Sequence, residues 1–249
     1  MSGHNKWSTI KHKKAAADAR RGKLWTRIIR EITVAARLGG GDPEANPRLR
    51  TAVNDAKAAN MPKDNIERAI KKGTGELEGE TYEEITYEGY ASGGVAMIIE
   101  AMTDNTNRTT PEIRHILEKH GGNLGTPGSA SYLFERKGFF SIDKSEVDED
   151  KLMEIALESG AEDLDTDDPE TYAVYTAPEN YDNVSNALDK AAVPTVEAKI
   201  GQFPMSYVKV DDEGQARKIL TLMEALDDHD DVQNVWSNFD IPDELVVEA

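Results

Sequence analysis

The sequence predicts an α+β multidomain protein. An all-helical N-terminal domain is followed by two α/β domains of the ferredoxin-like plait type, one inserted in the other. The 249 residues are enough for more than one domain. Apolar residues recur at helical spacing before residue 75, whereas strand-like runs begin only at Ile85. The charge changes sign in the same region, because residues 1–72 carry a net +10 and residues 73–249 a net −28.

The helical domain is predicted to span residues 1–75. It opens with an Ala-, Lys- and Arg-rich stretch that favours helix. A stripe of apolar side chains follows at helical spacing: Leu24, Ile28, Ile32 and Ala35. Glycines 39–41 end this helix, and Asn46 with Pro47 predicts the N-cap and first residue of a second. Pro62 opens a third, short helix.

A Gly- and Glu-rich linker is predicted at residues 76–84. Strands at 85–90 and 95–101 then form a hairpin. Thr110 and Pro111 predict the start of a helix that runs to about His120. A glycine-rich loop follows, and then a strand near 131–134.

The middle of the chain has a complete pattern of its own. Its elements are predicted as strand 138–142, helix 148–159, strands 162–165 and 171–176, helix 179–190 and strand 195–201. This βαββαβ order is that of the ferredoxin-like plait. We therefore expect an inserted domain at residues 136–204.

The last part of the chain is too small to bury a sheet face alone. It predicts a strand at 205–210, a helix at 215–226 and a strand at 232–239. Pairing it with the segment before the insertion gives one discontinuous α/β domain, 85–135 plus 205–239. Residues 240–249 are left as a tail.

Composition excludes several classes of protein. The chain has no cysteine, which excludes disulfide scaffolds, Cys-ligated metals and thiol nucleophiles. Neither a membrane-spanning run nor a secretory signal is expected. Catalytic motifs such as a nucleophile elbow or His-Glu-x-x-His are missing from the sequence. We expect a cytoplasmic, non-enzymatic protein without cofactor or metal, although the Lys-rich start also resembles a mitochondrial presequence.

The strongest functional signal is the segment 4–37, with ten basic and two acidic side chains. Dense cations bind nucleic-acid phosphates through counterion release, and flat rings such as Trp7 and His12 can stack on bases. The candidate contacts are His4, Lys6, Trp7, Lys11, His12, Lys13, Lys14, Arg20, Arg21, Lys23, Arg27 and Arg30. A solvated basic helix face with Trp7 in a small core is the alternative.

A second candidate contact lies just before the helix predicted at Pro111. Helix N-termini attract anions, and polar residues precede this one. The candidates are Asp104, Asn105, Asn107, Arg108 and Thr109. Simple capping and turn formation by the same residues is the alternative.

Many short motifs together resemble those of the YebC/PmpR family. They include Gly3-His4 with Lys6-Trp7, Ile10 to Ala15, Arg21-Gly22-Lys23, Asn46 to Arg50, Asn60-Met61-Pro62, Tyr87 to Tyr90, Thr103-Asp104-Asn105, Asn107-Arg108-Thr109 and His120-Gly121-Gly122. The resemblance covers essentially the whole chain and is densest before residue 135. It implies a three-domain, cytoplasmic, non-enzymatic regulator of gene expression. Members of this family are linked both to DNA-binding transcriptional regulation and to translation, including ribosomes stalled on proline-rich sequences.

The expected partner is therefore a nucleic acid. The loops around residues 39–41 and 60–62 do not read as a helix-turn-helix, and an acidic body repels a duplex that wraps it. We favour ribosomal RNA or tRNA on the translating ribosome, with duplex DNA at promoters as the alternative. An enzyme acting on a small anion near Arg108 is a third reading. We take a monomer as the default oligomeric state.

Overall fold

The structure, a computed structural model, describes residues 17–246. Predictions for residues 1–16 lie outside this range, as do the side chains of residues 17–21. Within the described range, no helix is both long and apolar enough to cross a membrane.

Between residues 17 and 75, the N-terminal domain contains three helices: α1 (Ala17–Gly39), α2 (Pro47–Ala58) and α3 (Lys63–Gly73). The predicted cap of α2 is confirmed, because the Asn46 side-chain oxygen accepts the N–H of Leu49 at 3.1 Å. The Asn46 amide also donates to the carbonyls of Ala35 and Gly40 at 2.8 and 2.9 Å. One buried side chain thus joins the end of α1 to the start of α2. Ile32, Leu49 and Ala56 are fully buried in the small core between the helices.

Strands and helices alternate through the rest of the chain. In chain order they are β1 (Glu83–Ala91), β2 (Val95–Thr103), α4 (Thr106–Lys119), β3 (Asn123–Leu124), β4 (Phe134–Asp143), α5 (Glu149–Ser159), β5 (Ala161–Asp165), β6 (Thr171–Thr176), α6 (Tyr181–Lys190), β7 (Glu197–Pro204), β8 (Val208–Lys209), α7 (Glu213–Asp227), β9 (Val232–Ser237), β10 (Phe239–Asp240) and α8 (Asp243–Val246).

Strands from both ends of this region form one antiparallel sheet in the order β3-β1-β2-β9. On β2, Ile99 lies opposite Tyr87 of β1 and Val235 of β9. Helices α4 and α7 cover one face of this sheet, where Ile113 and Leu222 are fully buried. We call this sheet and its helices the body. Because β9 follows the insertion, the body is built from two separate stretches of chain.

The inserted domain has the sheet order β5-β6-β4-β7, with antiparallel neighbours throughout. This is the ferredoxin-like plait that the βαββαβ pattern predicts. Helices α5 and α6 cover one face, where Phe140 stacks on Tyr181 with ring centroids 4.8 Å apart.

The other face of the inserted sheet packs against the body sheet. Phe139 of β4 and Phe203 of β7 meet Trp236 of β9 in a shared cluster with Ile98 of β2. β2 is therefore buried on both faces, which explains its nearly continuous apolar sequence.

The structure corrects several predicted elements and boundaries. Helix α4 begins at Thr106 rather than Pro111, because Asn105 is its N-cap and accepts the N–H of Arg108. The strand predicted at 205–210 shrinks to β8, since the chain bends after β7 before it pairs with β10. The strand predicted at 232–239 is divided into β9 and β10 at Asn238, whose side chain accepts the N–H of Ala96. The predicted boundary between residues 135 and 136 falls inside β4, and the linker predicted at 76–84 overlaps β1. Residues 131–133 form a short 3-10 helix instead of the predicted strand. The predicted tail at 240–249 includes the end of β10, the buried Ile241 and α8, so it packs on the body.

Candidate nucleic-acid interface

The basic face of α1 lies against an acidic segment of the body. Lys23 Nζ is 2.7 Å from Asp228 Oδ1, Arg27 Nη1 is 3.1 Å from Asp227 Oδ1, and Arg30 Nη1 is 3.1 Å from Asp231 Oδ1. The three cations recur at about one-turn intervals, so they share a face of the helix. We call these six side chains the domain clamp.

Backbone carbonyls extend the same contact. Lys23 also donates to the carbonyl of Asp228 at 3.0 Å, and Arg27 to that of Asp227. Arg30 donates to the carbonyls of Met102 and Asp230. Each cation of the domain clamp therefore binds both a carboxylate and at least one carbonyl.

Asp231 is the centre of a buried polar network. Its side chain is only 3% exposed, and its Oδ2 accepts from Arg108 at 2.8 Å, Thr109 at 2.6 Å and Thr103 at 3.2 Å. Asp231 thus binds Arg30 of the helical domain through one oxygen and Arg108 of α4 through the other. Burial alone raises the pKa of Asp231, but the hydrogen bonds and positive charges around it outweigh burial and hold this pKa below its ordinary value.

Two further ion pairs join the helical domain to its neighbours. Arg48 of α2 binds Glu31 of α1 at 2.6 Å and Glu84 of β1 at 2.6 Å. Arg50 Nη2 lies 3.6 Å from Asp182 Oδ2 on α6. The helical domain therefore contacts both the body and the inserted domain.

An open groove of about 870 Å³ runs beside Asp231, lined by Arg30, Arg108, Glu112, His115, His229 and Asp230 among others. Ligand-type atoms of Glu112, His229 and Asp231 come within 4.8 Å of one another there. Both ring nitrogens of His229 already have hydrogen-bond partners in the chain. Its Nδ1 accepts the N–H of Asp231, and its Nε2 lies 3.0 Å from Glu112. With two guanidinium groups already on Asp231, the cluster suits internal ion pairing better than a cation.

The structure places the predicted contact residues in three groups. His4, Lys6, Trp7, Lys11, His12, Lys13 and Lys14 lie outside the described residues, and the side chains of Arg20 and Arg21 do too. Lys23, Arg27 and Arg30 belong to the domain clamp. Of the second set, Arg108 and Thr109 bind Asp231, Asp104 binds Arg108 at 3.0 Å, and Asn105 caps α4. Asn107 is exposed.

The acidic partners of the domain clamp are the residues that sequence reasoning missed. Asp227 and Asp228 are visible in the sequence only as one of many acidic pairs. A carboxylate cluster directly after a helix is the one signal that marks them, and it does not identify a partner about 200 residues away.

Comparison with known proteins gives matches over both parts of the chain. The family profile described as "TACO1/YebC protein N-terminal domain" matches residues 5–76, and the one described as "TACO1/YebC second and third domain" matches residues 82–239. A protein from Desulfatibacillum aliphaticivorans, named "Probable transcriptional regulatory protein", is 56% identical over all of both chains. A protein of the same name from Aquifex aeolicus is 56% identical over 99% of this chain and 98% of its own.

A solved structure has the same fold. The crystal structure of a conserved hypothetical protein from Aquifex aeolicus aligns with a TM-score of 0.83 at 56% identity, covering 91% of this chain and 93% of the other. With two profiles that together cover most of its length and relatives more than half identical from end to end, the chain belongs to the TACO1/YebC family.

Proposed function

We propose that this chain is a non-enzymatic, nucleic-acid-binding regulator of gene expression, and that its basic helical domain contacts phosphates. One observation carries the proposal: α1 carries a row of cations on one face, Lys23, Arg27 and Arg30, and each of them binds a carboxylate of the same chain in this structure. Phosphate offers these groups the same kind of ligand with more negative charge. The names of the relatives, "Probable transcriptional regulatory protein", support a regulatory role.

Further cations extend the positive surface of the helical domain. Four further cations are exposed and form no ion pair with any side chain that the structure describes: Lys57, Arg68, Lys71 and Lys72. On α3, the last three lie on one face, opposite the buried Ile66 and Ala69. These cations provide a surface for phosphates.

We propose RNA of the translating ribosome as the target. The charge of residues 73–249 is −28, and an acidic part of that charge repels a duplex that bends around it. The basic helical domain is able to enter folded RNA while residues 73–249 stay outside. Promoter DNA is the second candidate, and the names of the relatives favour it.

Co-sedimentation with purified ribosomes tests this proposal. The intact chain is compared with the charge-reversed variant Lys11→Glu/Lys13→Glu/Lys14→Glu at about 150 mM salt, with duplex DNA as competitor. The control is Lys151→Glu/Lys190→Glu/Lys218→Glu, which changes the net charge equally on exposed sites of α5, α6 and α7.

The proposal predicts that the parent and the control pellet with ribosomes despite the DNA, and that the first variant stays in solution. Transfer of the parent to the DNA would favour the promoter candidate, which also requires discrimination between sites by about 10³-fold or more. If all three proteins behave alike, the basic segment is only a solvated surface.

A further inference from the structure

The domain clamp occupies a face that the proposed function needs for phosphate. Arg27 is 16% exposed and Arg30 is 11% exposed, because the segment 227–231 covers them. In this arrangement neither guanidinium group can form a paired contact with a phosphate. The cations that fit phosphate best are thus hidden by carboxylates of the same chain.

We infer that segment 227–231 is an internal competitor for nucleic acid. Its carboxylates hold Lys23, Arg27 and Arg30 in a closed state, and phosphates displace them when α1 moves off the body. This inference rests on the proposed function and adds a regulatory step to it. The apparent affinity for nucleic acid is then reduced by the fraction of molecules that are closed.

The three ion pairs differ in how easily they open. Lys23 and Asp228 are 42% and 66% exposed, so water screens their attraction. Arg30 and Asp231 are nearly buried, and Asp231 also holds Arg108 and Thr109. Opening therefore begins at Lys23 and proceeds along α1 towards Arg30. Asp227 and Asp228 can be neutralised without breaking the network around Asp231.

The first test neutralises those two carboxylates in the full chain. We expect Asp227→Asn/Asp228→Asn to bind a fluorescein-labelled RNA hairpin about tenfold more tightly than the parent in anisotropy titrations at low salt. With labelled duplex DNA as a second probe, the slope of log Kd against log salt should stay close to that of the parent, because both proteins contact the same phosphates once the carboxylates are displaced.

The matched control is Glu154→Gln/Glu158→Gln. These exposed carboxylates on α5 are removed with the same change in net charge. If the control tightens binding as much as Asp227→Asn/Asp228→Asn does, the effect is general charge and the inference is wrong. Circular dichroism melting of each variant confirms that it is folded.

A second test closes the clamp covalently. The chain has no cysteine, so Lys23→Cys/Asp228→Cys supplies a unique pair at side chains that touch. A short bismaleimide with a reducible centre should bridge them. We expect the bridged protein to bind the RNA hairpin at least tenfold more weakly than the same variant before bridging, with recovery after reduction.

Equal binding before and after bridging overturns the inference. The domain clamp would then be a structural contact that does not open when nucleic acid binds. That result leaves the proposed function intact, provided that the proteins bind RNA or DNA. Failure of every form to bind either probe instead overturns the proposed function itself.

Discussion

Arg30 and Asp231 are 201 positions apart in the sequence, yet their side chains meet at 3.1 Å with 11% and 3% of their surfaces exposed. Arg108 binds the second oxygen of the same carboxylate. A single aspartate therefore ties α1 of the helical domain to α4 of the body. We expect this contact both to stabilise the folded protein and to limit how easily α1 moves off the body.

Removing the charge of Asp231 should be costly. Asp231→Asn leaves the nearly buried Arg30 without its carboxylate, while the more exposed Arg108 keeps Asp104, so we expect a loss of about 3 kcal/mol in the free energy of unfolding. Thermal and urea unfolding measure this directly. Asp228→Asn removes a mostly exposed partner and should cost less than about 1 kcal/mol. Similar costs for both variants would contradict the role assigned to Asp231.

Glu88 holds the glycine-rich loop before β4. Its buried carboxylate accepts the backbone N–H groups of Gly128, Ala130 and Ser131 at 2.6 to 2.8 Å. In Glu88→Gln, one carboxylate oxygen is replaced by an NH₂ group, which cannot accept these N–H groups. We expect the free energy of unfolding to fall by about 2 kcal/mol. Glu118→Gln, an exposed change on α4, is the control and should be neutral within about 0.5 kcal/mol.

The same carboxylate predicts a pH dependence. Burial raises the pKa of Glu88, but the three backbone hydrogen bonds outweigh it and the net pKa is lowered from 4.5. Folding therefore favours the ionised form, and this stabilisation is fully present above about pH 4.5 and lost as the pH falls through the lower folded-state pKa. Unfolding midpoints measured from pH 7 downwards should fall less steeply for Glu88→Gln than for the parent. Parallel curves would show that the loop does not depend on the charge.

Gly201 lies under the ring of Trp236, where the inserted domain meets the body. A Cβ at this position would lie 1.8 Å from a carbon of the buried indole, so Gly201→Ala should destabilise the protein by about 3 kcal/mol. Gly22→Ala is the matched change on α1, where nothing lies within 4 Å, and should stabilise by up to about 1 kcal/mol. Differential scanning calorimetry should show shifts of opposite sign.

Asn46 has two separable functions. Aspartate is an equally good N-cap, but it cannot donate to the carbonyls of Ala35 and Gly40 as the amide does. Asn46→Asp should therefore cost about 2 kcal/mol, because the buried carbonyl of Ala35 and the part-buried carbonyl of Gly40 lose their donor, although the cap survives. Urea unfolding of the parent and of Asn46→Asp, followed by circular dichroism, tests this. Parental stability would mean that only the cap matters.

Local sequence signals predicted much of this fold. Asn46 with Pro47 marked the start of α2, and the βαββαβ order marked the inserted plait. They were wrong where two signals competed: Thr110 and Pro111 looked like a helix start, but Asn105 is the cap and the Thr110 hydroxyl bonds to Tyr87 instead. The N-cap is therefore Asn105, since the Thr110 side chain is hydrogen-bonded to another element of the fold.

The candidate site was predictable only on its basic side. A run of cations is visible in the sequence, and so is its affinity for anions in general. Which anion lies against Arg27 or Arg30 depends on where α7 ends in space, and that follows from the return of the chain to the body after the insertion. Long-range pairing of this kind leaves no local pattern.

The position of the domain clamp partners in the chain has a consequence for synthesis. At about 5 to 20 residues per second, the ribosome needs roughly 10 to 40 s to advance from Arg30 to Asp231. During that interval α1 has emerged, whereas the carboxylates that cover it have not yet been made. Each newly made chain therefore passes through a stage in which Lys23, Arg27 and Arg30 lack their final partners, next to the RNA surface of the ribosome that is synthesising it.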